Sequence, residues 1–217
     1  MMKNWLREVW NGNKALLLFI FLMMVFRSAV ADWNEVPTGS MKPTIVEGDR
    51  IFVNKMAYDF RIPFTHISLI KIADPDRGDI IIFDSSMSDK RLVKRVVGIP
   101  GDRVAMRNNI VSINGQPLSY LRMSEDENYV DSLENLIGVE HFVRMDTRGS
   151  ALSSFEPIRV PADSYLVLGD NRDNSADSRV IGFVSRNEIV GRSRSVVLSF
   201  NYDNYYIPRS GRFFQSL

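Results

Sequence analysis

Two patterns of apolar and polar positions divide this chain. The first is an unbroken apolar run, Ala15-Leu16-Leu17-Leu18-Phe19-Ile20-Phe21-Leu22-Met23-Met24-Val25-Phe26, preceded by Lys3, Arg7 and Lys14. Arg27 and Ser28 interrupt it, and Ala29-Val30-Ala31 lead to Asp32-Trp33. The run alone is shorter than the roughly 20 residues a spanning helix prefers. Counting on to Ala31 makes a span feasible, with Arg27 snorkelling and Trp33 in the interface. A cleaved signal peptide fits the same residues: a basic start, a short apolar core and Ala29-Val30-Ala31 as a small-residue cleavage site. Both readings leave the N-terminus in the cytoplasm and export everything after Asp32.

The second pattern is a succession of short apolar runs separated by turn residues. Strands are predicted over 49–54, 80–83, 92–99, 165–168, 189–190 and 196–200. A hairpin is predicted from 103–106 and 110–113 about Asn108-Asn109. Helical spacing recurs only weakly, over 131–136. The polar stretch 116–155 interrupts the strand pattern and reads as an insert or subdomain, taken as about 116–160. The expected organisation is a cytoplasmic start at 1–14, a transmembrane segment at 15–31 and an exported, mainly β domain over 32–217.

Composition narrows the chemistry. A net charge of +1 offers no field suited to nucleic acid. There are no cysteines, which removes disulfides, thiol catalysis and thiolate zinc sites. With two histidines, His66 and His141, no zinc site is expected.

Just after the apolar segment stands Val36-Pro37-Thr38-Gly39-Ser40-Met41-Lys42-Pro43-Thr44. Two prolines bracket a Gly-Ser pair and favour an exposed turn, which presents Ser40 as a nucleophile would be presented. Such a serine needs a base. His66 carries no accompanying acid in a recognisable pattern, His141 lies in the polar insert, and both read as structural or surface histidines. A lysine qualifies only if burial lowers its pKa by about 3–5 units, since at its ordinary value almost none is neutral at pH 7. In Arg91-Leu92-Val93-Lys94-Arg95-Val96-Val97, alternation puts Lys94 on one face with Leu92 and Val96, while Arg91 and Arg95 point the other way. The competing account makes this an edge strand guarded by its lysine. Lys42 is closer to Ser40, but nothing in its turn would desolvate it.

The most polar stretch is Gly169-Asp170-Asn171-Arg172-Asp173-Asn174-Ser175-Ala176-Asp177-Ser178-Arg179. A calcium loop fails here, because the required sharp-turn glycine is Ser178 and two arginines add unwanted charge. A turn network with Asp177 or Asp173 paired to an arginine is expected, or a hydroxyl that orients a buried lysine.

Taken together, Pro37-Thr38-Gly39-Ser40-Met41-x-Pro43-Thr44, Arg77-Gly78-Asp79-Ile80-x-x-Phe83, Lys94-Arg95-Val96-Val97-Gly98-x-Pro100-Gly101-Asp102 and the 169–179 stretch with Gly182-Phe183-Val184 resemble the bacterial type I signal peptidases. The resemblance implies an antiparallel β catalytic domain with a small inserted subdomain and one N-terminal transmembrane helix. It implies a membrane-bound serine endopeptidase of the plasma membrane that acts, without metal or organic cofactor, on preproteins bearing signal peptides. Cleavage follows small residues. Ser40 matches the nucleophile, Lys94 the general base, and Thr38 with the Ser40 amide the oxyanion hole. Ser175 matches the serine that orients the lysine, and Asp177 with Arg179 a supporting ion pair. A specialised pilin- or conjugation-type relative, or an anchored domain that binds signal peptides without cutting them, would share these residues. Many Gram-negative members carry two membrane segments before the serine, whereas one is expected here, and Ala29-Val30-Ala31 raises the question of self-cleavage.

Overall fold

A computed structural model describes residues 2–65 and 67–217, with side chains from residue 12 onward. His66 lies outside the described residues.

The apolar run forms a helix, Met2–Ala29, whose Gly12–Ala29 portion is long and apolar enough to cross a bilayer. Its side chains from Leu16 to Met24 are exposed all round. A helix apolar on every face is stable only where lipid or protein covers it. The last helical bond runs from Val30 N to Phe26 O, and the chain passes at once into the strand Ala31–Glu35. That strand pairs antiparallel with Asp49–Asn54, and Lys55 N donates to Val30 O. Ala29 and Ala31 are buried. The residues that read as a cleavage site are thus built into a folded junction.

The body is mainly antiparallel β. A nine-stranded sheet runs in the order Val184–Ser185, Ser164–Leu168, Lys90–Gly98, Ile80–Ser85, Ile189–Ser193, Asp49–Asn54, Val196–Asn201 and Ile207–Pro208, with Ala31–Glu35 also on Asp49–Asn54. Lys90–Gly98 is therefore interior, flanked on both sides, and the edge-guard account of Lys94 does not hold. The strand serves several cores. Leu92 and Val96 pack with Tyr58, Ile81, Phe83 and Val167, while Val93 meets the cluster of Val36, Met41, Ile45 and Ile51. The hairpin Arg103–Arg107 to Ile110–Ile113 turns through Asn108 and Asn109 at φ 48° and 64°, left-handed values that asparagine tolerates.

Two expectations are corrected. The stretch 116–155 does not interrupt the β pattern; it holds a three-stranded meander, Ser119–Glu125, Tyr129–Leu136 and Val139–Asp146. Residues 131–136 are its central strand and not helix. The period of two was hidden because two inward positions, Ser132 and Glu134, are polar. Glu134 can be buried because Arg172 reaches it at 2.7 Å from another part of the chain. A third sheet orders Phe155–Arg159, Arg103–Arg107, Ile110–Ile113 and Gln116–Pro117, and a fourth pairs Asp59–Arg61 with Ser68–Lys71.

Candidate active site

The Ser40 turn is shaped by what lies on either side of it. Val36 exchanges backbone bonds with Asp49 and Gly48, and Met41, 1% exposed, plugs the core directly after the serine. Burying such a side chain contributes about 1.5–3 kcal/mol. Between these anchors Thr38 is extended and exposed, and Gly39–Met41 form one 3-10 turn. Amides at the start of a helical turn have no acceptor within it, and the Ser40 N–H donates to none of the described residues. The Thr38 hydroxyl makes no capping bond to the turn.

Lys94 Nζ lies 2.5 Å from Ser40 Oγ. The lysine is only 3% exposed. Burial is the main cause that pushes its pKa from 10.5 down to about 8; Asp177 and Asp170 pull it back upward, and Arg179 adds to the depression. Lys42, the nearer lysine in sequence, instead pairs with Glu47 at 2.7 Å on the half-exposed surface.

The Asp/Asn-rich loop holds this pair in place. Asn171 clamps the nucleophile turn twice, donating its backbone N–H to Ser40 O at 3.1 Å and its Nδ2 to Gly39 O at 3.0 Å. Asp170 is bound bidentately by Arg95, at 2.9 and 2.8 Å, so the residue next to Lys94 ties the loop to the central strand. Arg95 does point away from the Lys94 face, into this buried pair and not into solvent. Asp177 pairs with Arg179 at 2.6 Å, caps the short helix Ser178–Ile181 and accepts from Gly169 N at 2.9 Å. Removing one partner of such a buried pair costs about 3–5 kcal/mol. Asp173 pairs with no arginine among the described residues; it accepts from Ser150, Ser153, Asn109 and the Asp146 amide.

Ser175 is buried, and its hydroxyl makes no hydrogen bond to Lys94 or to any other described residue. It presses on Gly169: a Cβ there would stand 2.2 Å from Ser175 Oγ and 2.4 Å from Ser40 O. Sequence reasoning assigned no role to Asn171 or Gly169. Their neighbours in the motif drew attention, but only the close approach of two distant segments reveals what they do. His141 sits in the meander, buried, with Nε2 3.3 Å from Glu134 and 3.9 Å from Asp170, remote in role from the serine.

On this antiparallel β body a desolvated amine faces a serine hydroxyl at a distance at which its neutral form can take the hydroxyl proton. The signal peptidase family, peptidase S26, matches over residues 9–198. Signal peptidase I of Pseudomonas aeruginosa is 34% identical over 204 residues, which cover 87% of this chain and 72% of that protein. Signal peptidase I of Leptolyngbya laminosa is 35% identical over 191 residues, covering 84% and 76%, and that of Bacillus amyloliquefaciens 32% over 194, covering 88% and 86%. The chain belongs to the signal peptidase family, peptidase S26.

Proposed function

We propose that this protein is a membrane-anchored serine endopeptidase that removes signal peptides from exported preproteins, with Ser40 as nucleophile and Lys94 as general base. The observation that carries the assignment of roles is the 2.5 Å approach of a buried, pKa-depressed amine to the serine hydroxyl. In this reading neutral Lys94 takes the Ser40 proton as Ser40 Oγ attacks the carbonyl before the scissile bond. The developing oxyanion is met by the Ser40 N–H and the Thr38 hydroxyl, neither of which is used within the turn. Lys94 then returns the proton to the departing amine. Water, activated by the same amine, hydrolyses the acyl-enzyme. Ser175, buried beside Gly169 and Ser40, is assigned to steadying the amine, and the Asp177–Arg179 pair to holding the loop that carries it.

The helix Met2–Ala29 is assigned to the plasma membrane as a single-pass anchor, with its basic start cytoplasmic and the peptidase domain, about 32–217, extracytoplasmic. In this organisation the meander region, about 116–160, is the small inserted subdomain. The nucleophile turn follows the helix by fewer than a dozen residues, which suits a substrate whose apolar segment is still in the bilayer when it is cut.

Purified full-length protein in detergent should cleave a preprotein carrying small residues before the cut, and Ser40→Ala should not. A binding module without catalysis would retain the preprotein uncut in both cases. Since Lys94 acts in its neutral form, kcat/KM should rise with pH and level off above about 8. A pH–rate profile centred near 6.5 would point to a histidine instead. Thr38→Val should lower kcat by about 10²–10³, as loss of one oxyanion donor does, whereas Thr38→Ser keeps the hydroxyl and the activity. Equal rates in the two variants would take Thr38 out of the mechanism.

A further inference from the structure

Between the main sheet and the meander runs a groove of about 830 Å³ that the cleavage chemistry leaves unused. Pro43 and Thr44, on the turn that carries Ser40, line it. So does Val139–Phe142, part of the strand Val139–Asp146, which ends the meander and has a strand partner on one side only. In an antiparallel ladder alternate residues turn their N–H and C=O away from the neighbouring strand. Here those are the even-numbered ones: Arg144 donates to Asp170 O at 2.7 Å and accepts from Arg172 N at 2.8 Å, and Phe142 O accepts from Thr44 Oγ1 at 3.4 Å. The same alternation turns the Phe142 N–H and both backbone groups of Glu140 to the groove side. These three groups have no hydrogen-bond partner among the described residues.

We infer that this groove takes the part of the preprotein that follows the scissile bond, laid as an extended strand along Glu140 and Phe142. Pro43 and Thr44, which follow Ser40 on the same turn, tie the groove to the nucleophile, although Ser40 and Lys94 do not themselves line it. Its lining includes Arg77, Arg192 and Arg194 alongside Asp76, Asp131 and Glu140. Charges of both signs suit a soluble polypeptide and not the apolar core of a signal peptide. Among the described residues, none of the N-terminal helix lines it.

The inference rests on the peptidase reading, and its test separates the two. Two substrates share a signal peptide; one ends about two residues after the cut and the other about ten, some 33 Å when extended. With the full-length enzyme in detergent, the longer substrate should show about tenfold lower KM at unchanged kcat, an advantage worth about 1.4 kcal/mol. Glu140→Pro removes one groove-facing N–H and no ladder bond. It should abolish that advantage and leave the short substrate untouched, which also reports that the enzyme is folded. In the cysteine-free chain, Met123→Cys combined with Ser40→Ala should capture a bromoacetyl group placed about five residues beyond the cut, and not one placed before it. Cleavage of both substrates with equal KM, an equal effect of Glu140→Pro on both, or no preference in capture would overturn the groove assignment. Failure to cleave either substrate would overturn the peptidase reading itself.

Discussion

Lys94→Met is expected to lower kcat for preprotein cleavage by about 10²–10⁴, the usual contribution of a positioned base, while making the folded protein more stable. The two effects share one cause. An amine at 3% exposure is poorly solvated, and its charged form is disfavoured, so its pKa falls from 10.5 to about 8. In the unfolded chain the same lysine keeps its ordinary affinity for a proton. Between about pH 8 and 10.5 the unfolded state therefore binds more protons, and stability rises with pH across that window. Below pH 8 the folded protein bears the whole penalty. At about 1.4 kcal/mol for each tenfold loss of proton affinity, that penalty is on the order of 3 kcal/mol. Methionine has nearly the same length and no charge, so denaturant unfolding at pH 7 should show a gain approaching that size, which shrinks as the pH nears 10.5. A variant that is inactive and no more stable than wild type would contradict the account of the amine. Lys42→Met serves as the comparison: its exposed pair with Glu47 contributes at most about 1 kcal/mol, and its activity should stay close to wild type. If Lys42→Met abolished cleavage and Lys94→Met did not, the base would be misassigned.

Gly169→Ala should cost about 10²-fold in kcat although residue 169 carries no functional group, because a misplacement of about 1 Å at a reacting centre has that effect. The added methyl would stand 2.2 Å from Ser175 Oγ and 2.4 Å from Ser40 O. A rotamer change could move the Ser175 hydroxyl but not the Ser175 Cβ, which the methyl would meet at 2.5 Å, and the Ser40 carbonyl is backbone and is also held by Asn171 N at 3.1 Å. Relief must come by pushing the nucleophile turn away from the loop, which spoils the approach of Ser40 to Lys94. The expected signature is a fall in kcat with an unfolding midpoint that shifts far less than activity does. Wild-type kcat in Gly169→Ala would mean that the turn yields without moving the serine.

The strands of the main sheet were legible because their residues alternate plainly or form unbroken apolar runs. The meander was not, since Glu134 occupies an inward position and its partner Arg172 is 38 residues away. No local window contains both halves of that pair. The 169–179 loop was legible as a turn network, but its partners were not. Arg95, Glu134 and Ser150 belong to three different sheets or their connections, and the loop joins them through Asp170, Arg172 and Asp173.

The sequence by itself determined the membrane-spanning candidate, the mainly β class, the presence of a turn at Ser40 and the apolar neighbours of Lys94 on its strand. Each depends on local composition and on the two-residue period of a strand. Tertiary structure alone decided that Lys94 lies on an interior strand and meets Ser40 across 54 positions of sequence. It also decided that Asn171 and Gly169 set the serine's position. Proximity of that kind depends on which strands pair and how closely two backbones approach, and neither is encoded in any single stretch of the chain.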